Sequence, residues 1–285
     1  MQLAPLPALQ LAYDVAGAAG SPVLLIMGFC VPGRAWRLQT PALASQHRVA
    51  WFDNRGVGGS GSPEGPWSMT DMAADALALL DHLGWQRAHV VGVSMGGMIA
   101  QHLALRAPER LHSLSLIATH AGGLRALLPT AAGARRFLAT SVGTPKQRLD
   151  QLQKLLFPAD FLATCERDWL RQVMLNDFGQ PVPMASRRRQ FAAIRGHRSD
   201  DQLHQLKAMP TLLVRPGQDQ LIQPQQSDRL ARLLPHARVL RFDQAGHGVI
   251  RQCADALNRE LLGWFAQAEA AGAPPLKTAS ASSRP

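Results

Sequence analysis

The sequence predicts an α/β fold in which a mostly parallel central sheet carries helices on both faces and a helical segment is inserted late in the chain. Three observations carry that expectation. Short apolar runs alternate with amphipathic helical stretches over most of the first 270 residues, the rhythm of a sheet covered on both sides. The innermost runs, such as Val23-Leu24-Leu25-Ile26-Met27, are apolar at every position, as strands buried on both faces must be. Between about His120 and Lys207 the rhythm stops, and helical stretches rich in Leu, Phe, Arg and Gln replace the strands.

Taken in order, residues 9–15 read as a half-buried strand, 23–27 as a fully buried one, and 48–52 as the next, ending at Asp53. Ser68 or Thr70 can cap a helix whose apolar stripe is Met72, Ala76, Leu79, Leu80 and Leu83, closed by Gly84. The run Ala88-His89-Val90-Val91 is a buried strand, followed by a helical pattern from Met98 to Leu103 and a strand over 111–118. In the irregular stretch, helices are expected over 148–157 and 168–176. Strands return at 211–214 and 238–242, and a helix over 251–268 closes the fold. The expected division is therefore a core of 1–119 and 208–268, a helical cap of 120–207, and a tail of 269–285 with too little apolar content to fold.

At 285 residues, 46% of them hydrophobic, the chain can bury a sizeable core. The formal net charge of +10 invites a nucleic-acid reading. Yet only Arg135-Arg136 and Arg187-Arg188-Arg189 cluster, no aromatic platform interleaves them, and no nucleic-acid module is present. No nucleic-acid partner is expected. Cys30, Cys165 and Cys253 are odd in number and without Cys-x-x-Cys spacing, so neither a disulfide framework nor a zinc site is expected. The first basic residue is Arg34, which leaves no charged n-region for a signal peptide. No apolar run approaches the ~20 residues that span a bilayer. These features point to a cytoplasmic chain with no membrane insertion.

The chemistry gathers on Ser94. It sits in Gly92-Val93-Ser94-Met95-Gly96, between a buried strand and a helix. A sharp strand-to-helix turn leaves room only for small residues two places on either side of the serine, and lifts its hydroxyl above the sheet. A serine hydroxyl needs a base, and the base needs an orienting group. In this architecture such residues sit in loops beyond the C-terminal strand ends. Two loops qualify, Pro216-Gly217-Gln218-Asp219 and Gln244-Ala245-Gly246-His247-Gly248, and they supply Asp219 and His247 in the order Ser, Asp, His. Gly28, after the first buried strand, lets the Phe29 N–H turn toward the serine and pair with the Met95 N–H as an oxyanion hole. The segment Asp53-Asn54-Arg55-Gly56-Val57-Gly58-Gly59-Ser60 lacks the Lys-Ser/Thr of a phosphate loop and reads as a rigid loop braced by Asp53 and Arg55. His89 and His102 read as packing residues, whereas His120, just past a strand end, is a pocket candidate.

Together these motifs resemble the α/β-hydrolases of the esterase, lactonase and peroxidase-like group. The matching residues are Met27-Gly28-Phe29, Asp53-x-Arg55-Gly56-x-Gly58-x-Ser60, Gly92-x-Ser94-Met95-Gly96-Gly97, Pro108-Glu109-Arg110, Gly217-x-Asp219 and Gly246-His247, which span about 9–268. Bacterial carboxylesterases, 3-oxoadipate enol-lactonases and aclacinomycin-methylesterase-like proteins are the most similar members. One departure is Met27, where the family usually carries a structural His. The resemblance implies an α/β-hydrolase fold and hydrolysis of a small-molecule carboxylic ester through an acyl-enzyme on Ser94, with His247 as base and Asp219 as its orienting acid. It implies no metal and no cofactor. Relatives with epoxide hydrolase or haloalkane dehalogenase chemistry carry Asp at the position of Ser94, so the resemblance points away from them. Alternatives on the same triad are a lactonase, a cofactor-free perhydrolase or a C–C hydrolase, and beyond these a non-enzymatic ligand-binding protein. The pocket candidates are Cys30, His120, Leu127, Phe137, Phe157, Phe161 and Phe191, a mainly apolar set that favours short-to-medium acyl esters. The Arg187-Arg188-Arg189 run and Arg195 temper that expectation, since one inward guanidinium would select a carboxylate-bearing lactone or ester. Oligomeric state is not legible.

Overall fold

A computed structural model of the chain describes residues 1–123, 126 and 128–272. Leu127, one of the pocket candidates, lies outside the described residues, as does the part of the expected tail from 273 onward. Eight strands form one sheet: β1 (Gln2–Pro5), β2 (Gln10–Ala16), β3 (Pro22–Ile26), β4 (Arg48–Phe52), β5 (Ala88–Val93), β6 (Leu111–Ile117), β7 (Thr211–Pro216) and β8 (Arg238–Phe242). Their spatial order is β1-β2-β4-β3-β5-β6-β7-β8. Pairing is antiparallel between β1 and β2 and between β2 and β4, and parallel everywhere else.

The two-residue period of β3 explains the layers. Leu24 and Ile26 face a core shared with α2 (Met69–His82) and α3 (Met95–Arg106), through Met72, Ala76, Leu79, Ile99 and Leu103. Val23 and Leu25 face the opposite core, built with Leu43 of α1 (Thr40–Ala44) and with Leu257, Leu261 and Phe265 of α11 (Ala254–Ala270). Ser68, rather than Thr70, caps α2, in a capping box with Asp71. The closing helix is two helices, because the chain leaves helical geometry at Cys253 between α10 (Val249–Gln252) and α11. The second of these runs to Ala270, beyond the expected boundary at 268, and Glu269 near its end bonds to Ser21 and to His89.

Between β6 and β7 the chain forms α4 (Ala131–Ala139), α5 (Pro145–Leu156), α6 (Ala159–Thr164), α7 (Arg167–Phe178) and α8 (Met184–Gly196). The expected helices 148–157 and 168–176 correspond to α5 and α7. Helix α5 starts earlier because Thr144 forms a capping box with Gln147 and Pro145 occupies the first turn. Leu156, Phe157, Leu170 and Met174 give these helices a small core of their own. Polar ties fix them to the sheet domain. Asp177 of α7, wholly buried, receives Arg251 at 2.6 Å on one carboxylate oxygen and Arg37 on the other. At the end of α8, His197 Nδ1 lies 3.1 Å from His102 Nε2 of α3, and its Nε2 lies 3.0 Å from the His120 carbonyl. No described helix is long and apolar enough to cross a membrane.

Candidate active site

At the end of β5 the chain turns so sharply into α3 that Ser94 takes φ 55° and ψ −121°, a conformation costing about 1–3 kcal/mol that its surroundings must impose. They do so by close approach. A Cβ on Gly92 would collide with the Gly96 carbonyl, and one on Gly96 with the Ile26 carbonyl. The Ser94 N–H donates to the Ile117 carbonyl at 2.9 Å, and the Thr119 hydroxyl donates to the Ser94 carbonyl at 2.8 Å. The loop after β3 passes alongside, with space for a Gly28 Cβ only 3.2 Å from Ser94 Cβ. Among the described residues, neither the Phe29 nor the Met95 N–H donates to a protein acceptor.

Asp219 follows β7 and is 2% exposed. Its Oδ1 accepts from the Leu221 and Ile222 N–H groups at 2.8 and 2.9 Å, which leaves Oδ2 for His247 Nδ1 at 2.7 Å. A carboxylate there can only accept, so the ring proton sits on Nδ1 and Nε2 is free as a base. The two loops are stitched together: Gly217 N–H donates to the Phe242 carbonyl and Gln218 N–H to the Ala245 carbonyl, at 2.9 and 2.8 Å. The loop of His247 is also tied to α5, through the Gly248 N–H and the Leu156 carbonyl at 2.8 Å.

Ser94 and His247 line one cavity of about 490 Å³ between the sheet and the inserted helices. Of the pocket candidates, Cys30 and Phe137 are on its wall. Burial pushes the Cys30 thiol up to about 12, so it stays protonated near neutral pH and is no rival nucleophile. Four others lie outside the lining and are corrections to the expected pocket. His120 is buried away from the wall, its Nδ1 accepting from the Gly122 N–H at 3.0 Å and its ring beside His197; burial pushes it down to about 4. Phe157 is buried under Gly248 and packs on Phe161 with ring centres 5.2 Å apart, so both belong to the small core of the inserted helices. Phe191 is 45% exposed, on the outer side of Phe29.

The wall is apolar through Leu149, Leu152, Leu155, Leu175 and Phe178, but also carries Arg148 and Arg187. Among the described residues, neither guanidinium meets a carboxylate, and the lining contains none. The Gly-rich loop after β4 is a brace: Asp53 accepts from the Gly33 and Gly59 N–H groups at 2.7 and 2.9 Å, and Arg55 forms a two-pronged buried pair with Asp75 at 2.7 and 2.8 Å. Sequence reasoning overlooked Gln190 of α8, fully buried and bonded to the Cys30 N–H and the Arg55 carbonyl. A polar residue in a charged helix gives no signal of such burial. No group of three or more His, Cys, Asp or Glu among the described residues is arranged to hold a metal.

Comparison with known proteins agrees with this fold. The alpha/beta hydrolase fold family matches residues 21–250. The chain is 34% identical to RutD of Azorhizobium caulinodans, assigned by its name to carbamate hydrolysis, over 88% of this chain and 93% of that one. It is 31% identical to the rhodomycin D methylesterase DnrP of Streptomyces peucetius, over 81% of this chain and 86% of that one. The enol-lactonase of Burkholderia xenovorans LB400 superposes with a TM-score of 0.78 at 24% identity, covering 93% of this chain and all of the other, a likeness of fold. An eight-stranded sheet with this strand order, a serine held at a strained strand-to-helix turn and a match over most of the length lead to one assignment: the chain is a hydrolase of the alpha/beta hydrolase fold family.

Proposed function

We propose that the protein hydrolyses carboxylic esters through an acyl-enzyme on Ser94. His247 Nε2 takes the hydroxyl proton as Ser94 Oγ attacks the carbonyl carbon. The Phe29 and Met95 N–H groups receive the oxyanion. Asp219 holds the imidazole in the Nδ1–H form and stabilises the imidazolium. The protonated ring then gives its proton to the leaving alcohol, and water activated by the same ring releases the acid. The observation that carries this reading is the Asp219–His247 bond at 2.7 Å beside a cavity that both His247 and Ser94 line. In the same proposal, 1–119 and 208–268 form the catalytic core and 120–207 the cap, and the protein works in a reducing compartment such as the cytoplasm, where its free cysteines stay reduced. The test is Ser94→Ala, expected to lower ester turnover by about 10⁴- to 10⁶-fold without unfolding the chain, together with loss of labelling by a fluorophosphonate probe. Residual activity within tenfold of the parent would sink the mechanism.

A second reading concerns the substrate. Arg148 and Arg187 on a wall without carboxylates favour an ester or lactone that itself bears a carboxylate, because the planar fork of a guanidinium pairs best with a planar anion. Comparing p-nitrophenyl butyrate with an anionic enol-lactone decides between the two. A preference for the anion above ~100-fold in kcat/KM, about 2.7 kcal/mol of transition-state binding, selects the lactonase reading, and a preference for the neutral ester keeps the esterase. A β-diketone and a peracid-forming assay in the same panel separate C–C hydrolase and perhydrolase chemistry.

A further inference from the structure

We infer that helix α8 holds the oxyanion-donating loop in its active shape, and that Gln190 is the positioning residue through which it does so. The inference rests on the Ser94 mechanism proposed above. Gln190 is 0% exposed although it follows Arg187-Arg188-Arg189 on a helix of the inserted segment. Both ends of its amide are used across the boundary with the sheet domain. Its Oε1 accepts from the Cys30 N–H at 2.9 Å, and its Nε2 donates to the Arg55 carbonyl at 3.0 Å. One partner is a donor and the other an acceptor, so the amide has a single satisfied orientation.

The Cys30 N–H is the link that most needs such a partner. Cys30 has φ 57°, a left-handed conformation that a residue with a Cβ adopts only when its neighbours enforce it. On the other side of Phe29, the Met27 carbonyl accepts from Asn54 Nδ2 at 2.8 Å and the Gly28 carbonyl from the Val31 N–H at 3.3 Å. In a trans peptide the N–H opposes the C=O. With the Gly28 carbonyl held toward Val31, the Phe29 N–H of that peptide therefore points the other way, on the loop that passes Ser94. Gln190 closes the bracket on the next peptide along. Without it, the Cys30 N–H would lose its protein partner, and the turn that aims Phe29 would lose one of its three restraints.

The helix is seated firmly enough to act as the fixed end. Ser186, one turn earlier and wholly buried, would lie 2.5 Å from a Cβ on Gly56, so α8 rests directly on the Asp53–Ser60 loop. Its hydroxyl is 3.3 Å from that of Ser62, Arg189 donates to the Pro63 carbonyl at 3.2 Å, and Phe191 meets the Phe29 ring with centres 6.4 Å apart. The segment that walls the cavity thus also sets the catalytic backbone.

The test compares Gln190→Met and Gln190→Glu in the full chain, with Ser94→Ala alongside, using p-nitrophenyl butyrate turnover, the rate of fluorophosphonate labelling and thermal unfolding. Methionine keeps the volume and removes both hydrogen bonds; glutamate, kept protonated by burial at this site, offers an acceptor to the Cys30 N–H and an O–H donor to the Arg55 carbonyl. Loss of a whole oxyanion donor costs about 10²–10³ in kcat, so a donor left present but poorly aimed is expected to cost 10- to 100-fold. We expect Gln190→Met to lose that much kcat and labelling rate with KM within threefold, and Gln190→Glu to regain at least fivefold of the loss. A folded Gln190→Met with kcat within twofold of the parent overturns the inference, as does a Glu variant no better than Met, or a loss confined to KM. Should the Met variant not fold, Gln190→Asn, one methylene too short to bridge the two groups, is read against Glu by the same criteria. An active Ser94→Ala would overturn the underlying mechanism, whereas an inactive Ser94→Ala beside an undiminished Gln190→Met overturns only the role of Gln190.

Discussion

Asp219 illustrates how backbone donors dictate what a side chain can do. Because the Leu221 and Ile222 N–H groups both claim Oδ1, an asparagine at 219 must keep its oxygen there and turn its NH₂ toward His247. The ring nitrogen facing it must then accept, which places the ring proton on Nε2, the atom that has to receive the Ser94 proton. Asp219→Asn is therefore expected to fold normally and lose on the order of 10⁴ in kcat; activity within tenfold of the parent, measured on a variant of unchanged Tm, would contradict the assignment. At this scale much of the candidate site was legible. Ser94, Asp219 and His247 each stand in a short glycine-marked string, and the glycines are there for local reasons, such as the contact of Gly217 with Asp243. His120 and Phe191 were misread because their surroundings come from distant segments: His197 lies over the first, and solvent over the second.

Among the elements, those with a continuous apolar run or a clear stripe were readable, and those shaped by neighbours were not. Strand β1 is an edge of four residues with Leu3 54% exposed, so it carries almost no burial signal. Helix α9 (Pro224–Leu233) is charged and glutamine-rich, with Ser227 and Leu230 as its buried residues, and the sequence reading passed over it. The ion group joining α7 to the core was equally invisible, since Arg37, Asp177 and Arg251 are far apart in sequence. Its energetics are clear from the structure. Removing the charge of Asp177 leaves Arg251, side chain 5% exposed, buried without a counter-ion, which costs about 3–5 kcal/mol. Asp177→Asn should accordingly shift the denaturant midpoint strongly downward at unchanged slope. It should also raise KM more than it lowers kcat, because α7 lines the cavity through Leu175 and Phe178. An unfolding free energy within about 0.5 kcal/mol of the parent would show that the pair contributes little.

For the molecule as a whole, buried histidines couple stability to pH. Burial holds His89 and His120 down at about 4 and His197 at about 3, against an ordinary value of 6.5. Between those values the unfolded chain binds protons that the folded chain refuses, so stability rises with pH there. It is complete above about 6.5 and is lost as pH falls through about 4 and then 3. Tm is expected to drop steeply across that window, and His197→Gln, which can still donate to the His120 carbonyl but does not titrate, should make the drop shallower; an equal drop in both proteins would remove His197 from the account. The inserted helices leave just after β6 and come back beside their own point of departure, where Gly122 and Arg198 form an antiparallel bridge before the chain crosses to β7. A segment that departs and rejoins at adjacent points can be exchanged for one of another length without shifting the sheet's register, which makes it a natural unit for grafting a new specificity. Gln190 would set the condition for such a graft: a donor segment of any shape would still have to present an acceptor to the Cys30 N–H.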